Sequence, residues 1–150
     1  MSVEQTHTVR LWDVSTLAER RVLREDPHVD YTIPRYPAAW DTRLDAVVVT
    51  AINGKAIQRM STTVQQVEQL ATKDLARAVA TTVDGRIIFD QGYDLMVVVP
   101  NLSEATNVLR LEKPIQWGGL AWHAEAGLAA LESSGGIAIY GLLPNRRESN

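Results

Sequence analysis

The stretch Ala46-Val-Val-Val-Thr-Ala-Ile52, followed at once by Asn53-Gly54 and Lys55-Ala-Ile-Gln-Arg-Met60, constrains the fold of this chain more than any other. Asn-Gly supplies the two positive-φ residues of a type I′ turn, so the two apolar runs are expected to fold back as a tight hairpin. A two-residue loop fixes the register: Thr50 opposes Ile57 and Val48 opposes Arg59. Three consecutive valines, Val47 to Val49, predict a strand covered on both faces. The sheet containing it must therefore be sandwiched between other layers.

Similar punctuation follows. Asp84-Gly85 between Ala80–Val83 and Arg86–Phe89 marks a second hairpin, Gly92 leads into a further strand from Asp94 to Pro100, and Ile137–Tyr140 reads as a last strand. Helical signals lie between these strands. Ser61-Thr-Thr63 offers N-caps with Gln65 and Gln66 in capping-box positions, and Val64, Val67, Ala71, Leu75 and Ala78 recur at helical spacing, which predicts a helix over about Thr62 to Arg77. Gly119 to Ser133, rich in Ala and Leu and ended by Gly135-Gly136, predicts a second helix. Thr16-Leu-Ala-Glu19 ahead of Arg20–Glu25 leans to a short helix, although the apolar positions suit neither period well. The expected fold is α+β: one domain over 1–150, with a mostly antiparallel sheet built from hairpins and two main helices packed on it. No internal repeat is visible in the residue identities.

Composition narrows function by exclusion. The chain has 15 Lys and Arg against 18 Asp and Glu, interspersed, so no basic stripe nominates a nucleic-acid partner. It has no cysteine, which removes thiolate metal sites, iron–sulfur clusters and Cys nucleophiles. The polar start Met1–His7 lacks a basic-then-apolar leader, and the weakly charged region from Pro114 to Asn145 is interrupted by His123, Glu125, Glu132 and several glycines. A cytoplasmic chain without a membrane span is therefore expected. His7, His28 and His123 have no metal-ligand spacing, and the paired glycines form no phosphate cradle, so no metal or cofactor is expected.

Two short segments resemble known families. Thr8-Val-Arg-Leu-Trp-Asp-Val-Ser-Thr16 is similar to the end of a blade in WD-repeat propellers, but the resemblance covers nine residues. The other Trp-Asp pair, Trp40-Asp41, lacks the flanking pattern, and the match is read as coincidence. Val49 to Ile57 resembles the hairpin of peptide-binding PDZ domains. No Gly-rich carboxylate-binding loop precedes it, and a tight Asn-Gly turn explains the same residues.

The primary functional expectation is a non-catalytic oligomerising or partner-binding subunit of a larger assembly. The aromatic, Pro-stiffened loop with Arg35, Tyr36 and Trp40, together with Trp117 and Trp122, is the candidate interface. The alternative is a small cofactor-independent enzyme or small-molecule-binding domain with His123 as general acid or base in an apolar pocket, assisted by Glu125, Asp90 or Tyr93. Self-association or another protein partner is expected, a small molecule is possible, and neither nucleic acid nor membrane is expected.

Overall fold

A computed structural model describes residues 7–26, 37–51, 54–99, 101 and 103–141. Arg35, Tyr36 and the turn residue Asn53 lie outside the described residues. The described chain forms thirteen strands in four antiparallel sheets, each built from strands consecutive in sequence. The first sheet pairs β1 (His7–Asp13) with β2 (Ala18–Asp26). The second orders β3 (Ala38–Asp41), β4 (Ala46–Ala51), β5 (Ala56–Ser61) and β6 (Val67–Ala71). The third orders β7 (Val79–Thr81), β8 (Ile87–Gln91), β9 (Asp94–Val98) and β10 (Ala105–Arg110). The fourth orders β11 (Ile115–His123), β12 (Gly127–Glu132) and β13 (Ile137–Tyr140).

The α+β expectation is thus corrected: the described residues are all-β, and both main helices are replaced by strands. The 62–77 segment becomes β6 because its polar residues answer buried ones on β5. Gln69 and Glu68 stand directly opposite Gln58 and Arg59, with a Gln58–Gln69 side-chain hydrogen bond of 2.6 Å and an Arg59–Glu68 ion pair of 2.7 Å. A helix there would leave β5 without an outer partner and Arg59, almost fully buried, without its carboxylate. The 119–133 segment becomes the β11–β12 hairpin. Gly127, at φ 90, sits where an added Cβ would lie 2.4 Å from the Tyr140 carbonyl oxygen, so only glycine closes this turn. The short helix favoured over 16–25 is β2, entered through Leu17 at φ 55.

The four sheets stack face to face in sequence order, and period-two alternation assigns each face. On β4, Val47 and Val49 turn with Met60 toward Val9, Leu11 and Leu23 of the first sheet, while Val48 turns with Ile57 toward the third. On β8, Ile87 and Phe89 face the second sheet, whereas Ile88 faces the fourth with Ala80 and Leu95, against Leu120, Leu128 and Ala130. The valine run is sandwiched as its composition requires, and its register matches the hairpin expectation: Thr50 opposes Ile57 and Val48 opposes Arg59. The first strands of the second, third and fourth sheets are neighbours, since β7 touches both β3 and β11. Consecutive meanders with neighbouring first strands and packed faces are the arrangement of successive propeller blades. In this setting the blade-like segment Thr8 to Thr16 occupies a real strand and turn of the stack, β1 and its turn into β2.

The structure also reveals a repeat that the residue identities hide. Asp41, Thr82 and His123 follow one another at equal intervals of 41 residues, Asp41 and His123 ending the first strand of their sheets and Thr82 directly following β7. Each accepts backbone hydrogen bonds in the turn to the second strand. Asp41 Oδ1 takes the N–H groups of Arg43 and Leu44 at 3.1 and 3.3 Å, His123 Nδ1 takes those of Glu125 and Ala126 at 3.3 and 3.2 Å, and Thr82 Oγ1 takes that of Arg86 at 3.0 Å. Asp13, Ser61 and Asn101 do the same at the turns before β2, β6 and β10. The spacing lies within the blade period of about 40–45 residues typical of four-stranded propeller repeats. A carboxylate, a hydroxyl and an imidazole share one task, which is why comparison of residue letters fails to detect the repeat.

Candidate functional site

Antiparallel meanders place the turns after first and third strands on one rim of the stack and those after second strands on the other. His123 and Glu125 belong to a turn on the first rim, Asp90 and Tyr93 to the opposite one. The structure therefore splits the four candidate catalytic residues into two separated pairs. His123 is exposed, and its Nδ1 is committed to the turn, which leaves Nε2 as the nitrogen facing solvent. Replacing His123 by Ala is expected to cost about 1 kcal/mol, the value of the lost acceptor, while His123→Asp holds stability near wild type because Asp41 performs the same task two sheets earlier. Urea unfolding of both variants checks this; equal losses would show that the turn does not depend on the acceptor.

Asp90 is fully buried at the end of β8. Its Oδ1 accepts from the N–H groups of Arg77 and Ala78 at 2.7 and 2.8 Å, tying down the entry to β7, while Oδ2 has no hydrogen-bond partner among the described residues. Burial raises its pKa to about 6 against the opposing pull of those two N–H groups and the Arg77 charge. Tyr93 is half exposed in the following turn and stacks under the Arg110 guanidinium, 5.9 Å from the ring centre.

Two clefts open on the His123 rim. One, of about 370 Å³, lies between the turns of the third and fourth sheets, with Arg86, Asp84, Trp122 and Glu125 among its walls. Burial works against the Asp84 carboxylate, but hydrogen bonds from the Thr82 hydroxyl and the Arg86 guanidinium outweigh it and hold its pKa below the ordinary value. The second cleft, about 510 Å³, lies between the first two sheets and includes Trp12, Trp40, Arg20, Arg21 and Thr62. Arg21 there donates to the Thr62 carbonyl at 3.1 Å.

The three tryptophans named from sequence have different fates. Trp122 turns inward and packs against the third sheet, with its indole N–H buried and without a hydrogen-bond partner among the described residues. Trp117 is half-buried in a bulge of β11, beside Gly118 at φ 73. Trp40 is 46% exposed: opposite Val47 in register, it shares the face toward the first sheet and lines the cleft between the two.

Exposed apolar surface also lies at the end of the stack, inside the weakly charged stretch that begins at Pro114. Ile137 and Ile139, 72% and 63% exposed, stand opposite Leu131 and Ala129 on the face of the fourth sheet turned away from the third. On the first sheet, Trp12 at 57% and Val22 at 40% are exposed, and each lines a cleft shared with the second sheet. The remaining exposed large apolar residues, such as Leu44, Val64 and Val83, sit singly on turns and outer strands. The signal for the end face was present in Ile137-Ala-Ile-Tyr140, where both alternating sets are apolar although only one meets the core.

Among the described residues, no helix is long and apolar enough to cross a membrane, and no group of three or more His, Asp or Glu side chains is placed to hold a metal ion. No family model matches the chain, and no curated protein matches it.

Proposed function

We propose that this chain is a non-catalytic, self-associating subunit of a protein assembly, whose stacked sheets act as a rigid scaffold and whose end face makes the contact. The observation that carries this reading is the exposure of Ile137 and Ile139 on an ordered sheet face that continues the alternation of the core. Large apolar side chains grouped on one sheet face mark association surfaces more often than singly scattered ones do. We place this role in the cytoplasm, since a fold held by apolar sheet faces needs no disulfide support. Light scattering over a range of concentrations is the test. A discrete mass above the 16.6 kDa of one chain, persisting on dilution to low micromolar protein, is expected; a monomer at every concentration would overturn the proposal.

A second reading rests on the cleft of about 370 Å³, which is at the lower end of the range typical of small-molecule sites, about 300–1,000 Å³. In that reading the His123–Gly127 turn walls a binding site in which Glu125 and Arg86 supply charge and Trp122 supplies an aromatic surface. A ligand screen read by tryptophan fluorescence tests it.

A further inference from the structure

The cleft between the first two sheets gathers positive charge on a chain that is negative as a whole. Its walls bring together Arg10, Arg20 and Arg21 with a single carboxylate, Asp45, whereas the formal net charge of the chain is -3. Arg10 is taken up by Glu19, and Arg21 donates to the Thr62 carbonyl at 3.1 Å. Asp45 accepts the Thr62 hydroxyl at 2.8 Å. The Arg20 guanidinium has neither ion pair nor hydrogen bond among the described residues. A β-bulge places it there: Arg21 stands opposite Leu11 and Glu19 opposite Trp12, so Arg20 between them has no residue across from it on β1. Successive residues of a regular strand point to opposite faces, yet Arg20 and Arg21 both line this cleft, as do Leu11 and Trp12. Bulges re-aim side chains in this way, and they are over-represented beside active sites.

We infer that this cleft docks an acidic peptide segment of a partner protein, with a carboxylate on the Arg20 guanidinium and a neighbouring apolar side chain between Trp12 and Trp40. A free guanidinium is matched by a carboxylate, which it holds through two parallel N–H donors. Trp12 from the first sheet and Trp40 from the second supply the aromatic surfaces, and Trp and Arg are the residue types that carry most binding energy at interfaces. A small-molecule site encloses most of its ligand. Here both tryptophans stay about half exposed, which suits a segment that turns one or two side chains into the cleft and runs on. A long polyanion is disfavoured, because the excess of positive charge is confined to this cleft and forms no stripe. The site shares no residue with the Ile137–Ile139 face, so it stands or falls independently of self-association.

Panning a displayed library of short random peptides on the whole chain tests this. The recovered peptides are expected to be rich in Asp and Glu beside Leu, Phe, Tyr or Trp. A recovered peptide, synthesised with a fluorophore, is expected to bind Arg20→Ala about ten- to a hundredfold more weakly than wild type, the effect of losing a hydrogen bond to a charged group. Trp40→Ala should weaken it as well, and Arg110→Ala, a distant exposed arginine on β10, should leave it unchanged. Circular dichroism with near-native urea midpoints verifies that the variants fold. One comparison needs no variant: the same peptide with its carboxylates replaced by amides is expected to lose binding to the wild-type chain. The proposal is overturned if no peptide is recovered, if the recovered pool is not acidic, or if Arg20→Ala or the amide peptide binds as tightly as its parent. It also falls if the peptide acts by dissociating an oligomer of the wild-type chain, since the occupant is then a second copy.

Discussion

Arg59→Met will cost about 3–5 kcal/mol of folding stability, the usual penalty for removing one partner of a buried ion pair. Asp41 is fully buried and Arg59 only 4% exposed, with Nη1 and Oδ2 3.7 Å apart. Methionine fills much of the space of the arginine stem but leaves the Asp41 carboxylate in an apolar layer without its cation. The turn N–H groups of Arg43 and Leu44 still bind Oδ1, while Oδ2 makes no hydrogen bond among the described residues even in the wild-type chain. Adding Asp41→Asn should recover most of the loss, because asparagine keeps an acceptor for the turn and carries no charge. Glu68→Gln should cost much less, since the Glu68 side chain is 38% exposed and water replaces part of what it gives Arg59. Urea midpoints at constant m-value measure all three. A single Arg59→Met variant within 1 kcal/mol of wild type would show that the pair is not holding the second sheet together.

Arg59 also explains why part of this fold could be read from the sequence and part could not. Hairpins declared by Asn53-Gly54 and Asp84-Gly85 were legible because turn chemistry is local, and the Val48–Arg59 pairing followed from loop length alone. The strand β6 was not legible, because its residues suit a helix locally and become a strand through partners on β5: Gln58 and Arg59 require Gln69 and Glu68, 11 and 9 positions later, opposite them. The β11–β12 hairpin was concealed by its Ala-rich composition; its evidence lay in glycines with positive φ, at Gly118 and Gly127, rather than in apolar periodicity. Of the candidate site, Trp40 stands at the surface. The sequence could not separate His123 from Asp90, because only the alternation of strand direction puts them on opposite rims. Nor could it show that His123 does the same work as Asp41 and Thr82, since that equivalence lies in backbone donors.

The unfolding midpoint should fall as pH rises from about 4 to about 7, and Asp90 is the group responsible. Its pKa in the fold is about 6 against 3.8 for an unburied aspartate. Between these values the folded chain holds a proton that the unfolded chain has released, so raising the pH favours unfolding. The loss is complete once pH exceeds the folded value and amounts to about 3 kcal/mol, the free energy of a shift of roughly two pH units. Asp90→Asn tests this directly. The amide retains an acceptor for the N–H groups of Arg77 and Ala78 and carries no ionisation cost, so the variant should match wild type near pH 4 and exceed it at pH 7.5. Asp90→Ala should do the reverse at pH 4, where the aspartate is neutral and intact: it leaves two backbone donors at the entry to β7 unpaired, each worth about 1–3 kcal/mol where water cannot replace the acceptor. The difference curve between wild type and Asp90→Asn isolates this group from the other carboxylates, which titrate in both proteins. A flat difference across pH 4 to 8 would mean that Asp90 ionises as readily in the fold as in water, and that the apolar contact between the third and fourth sheets does not exclude water from its unpaired oxygen.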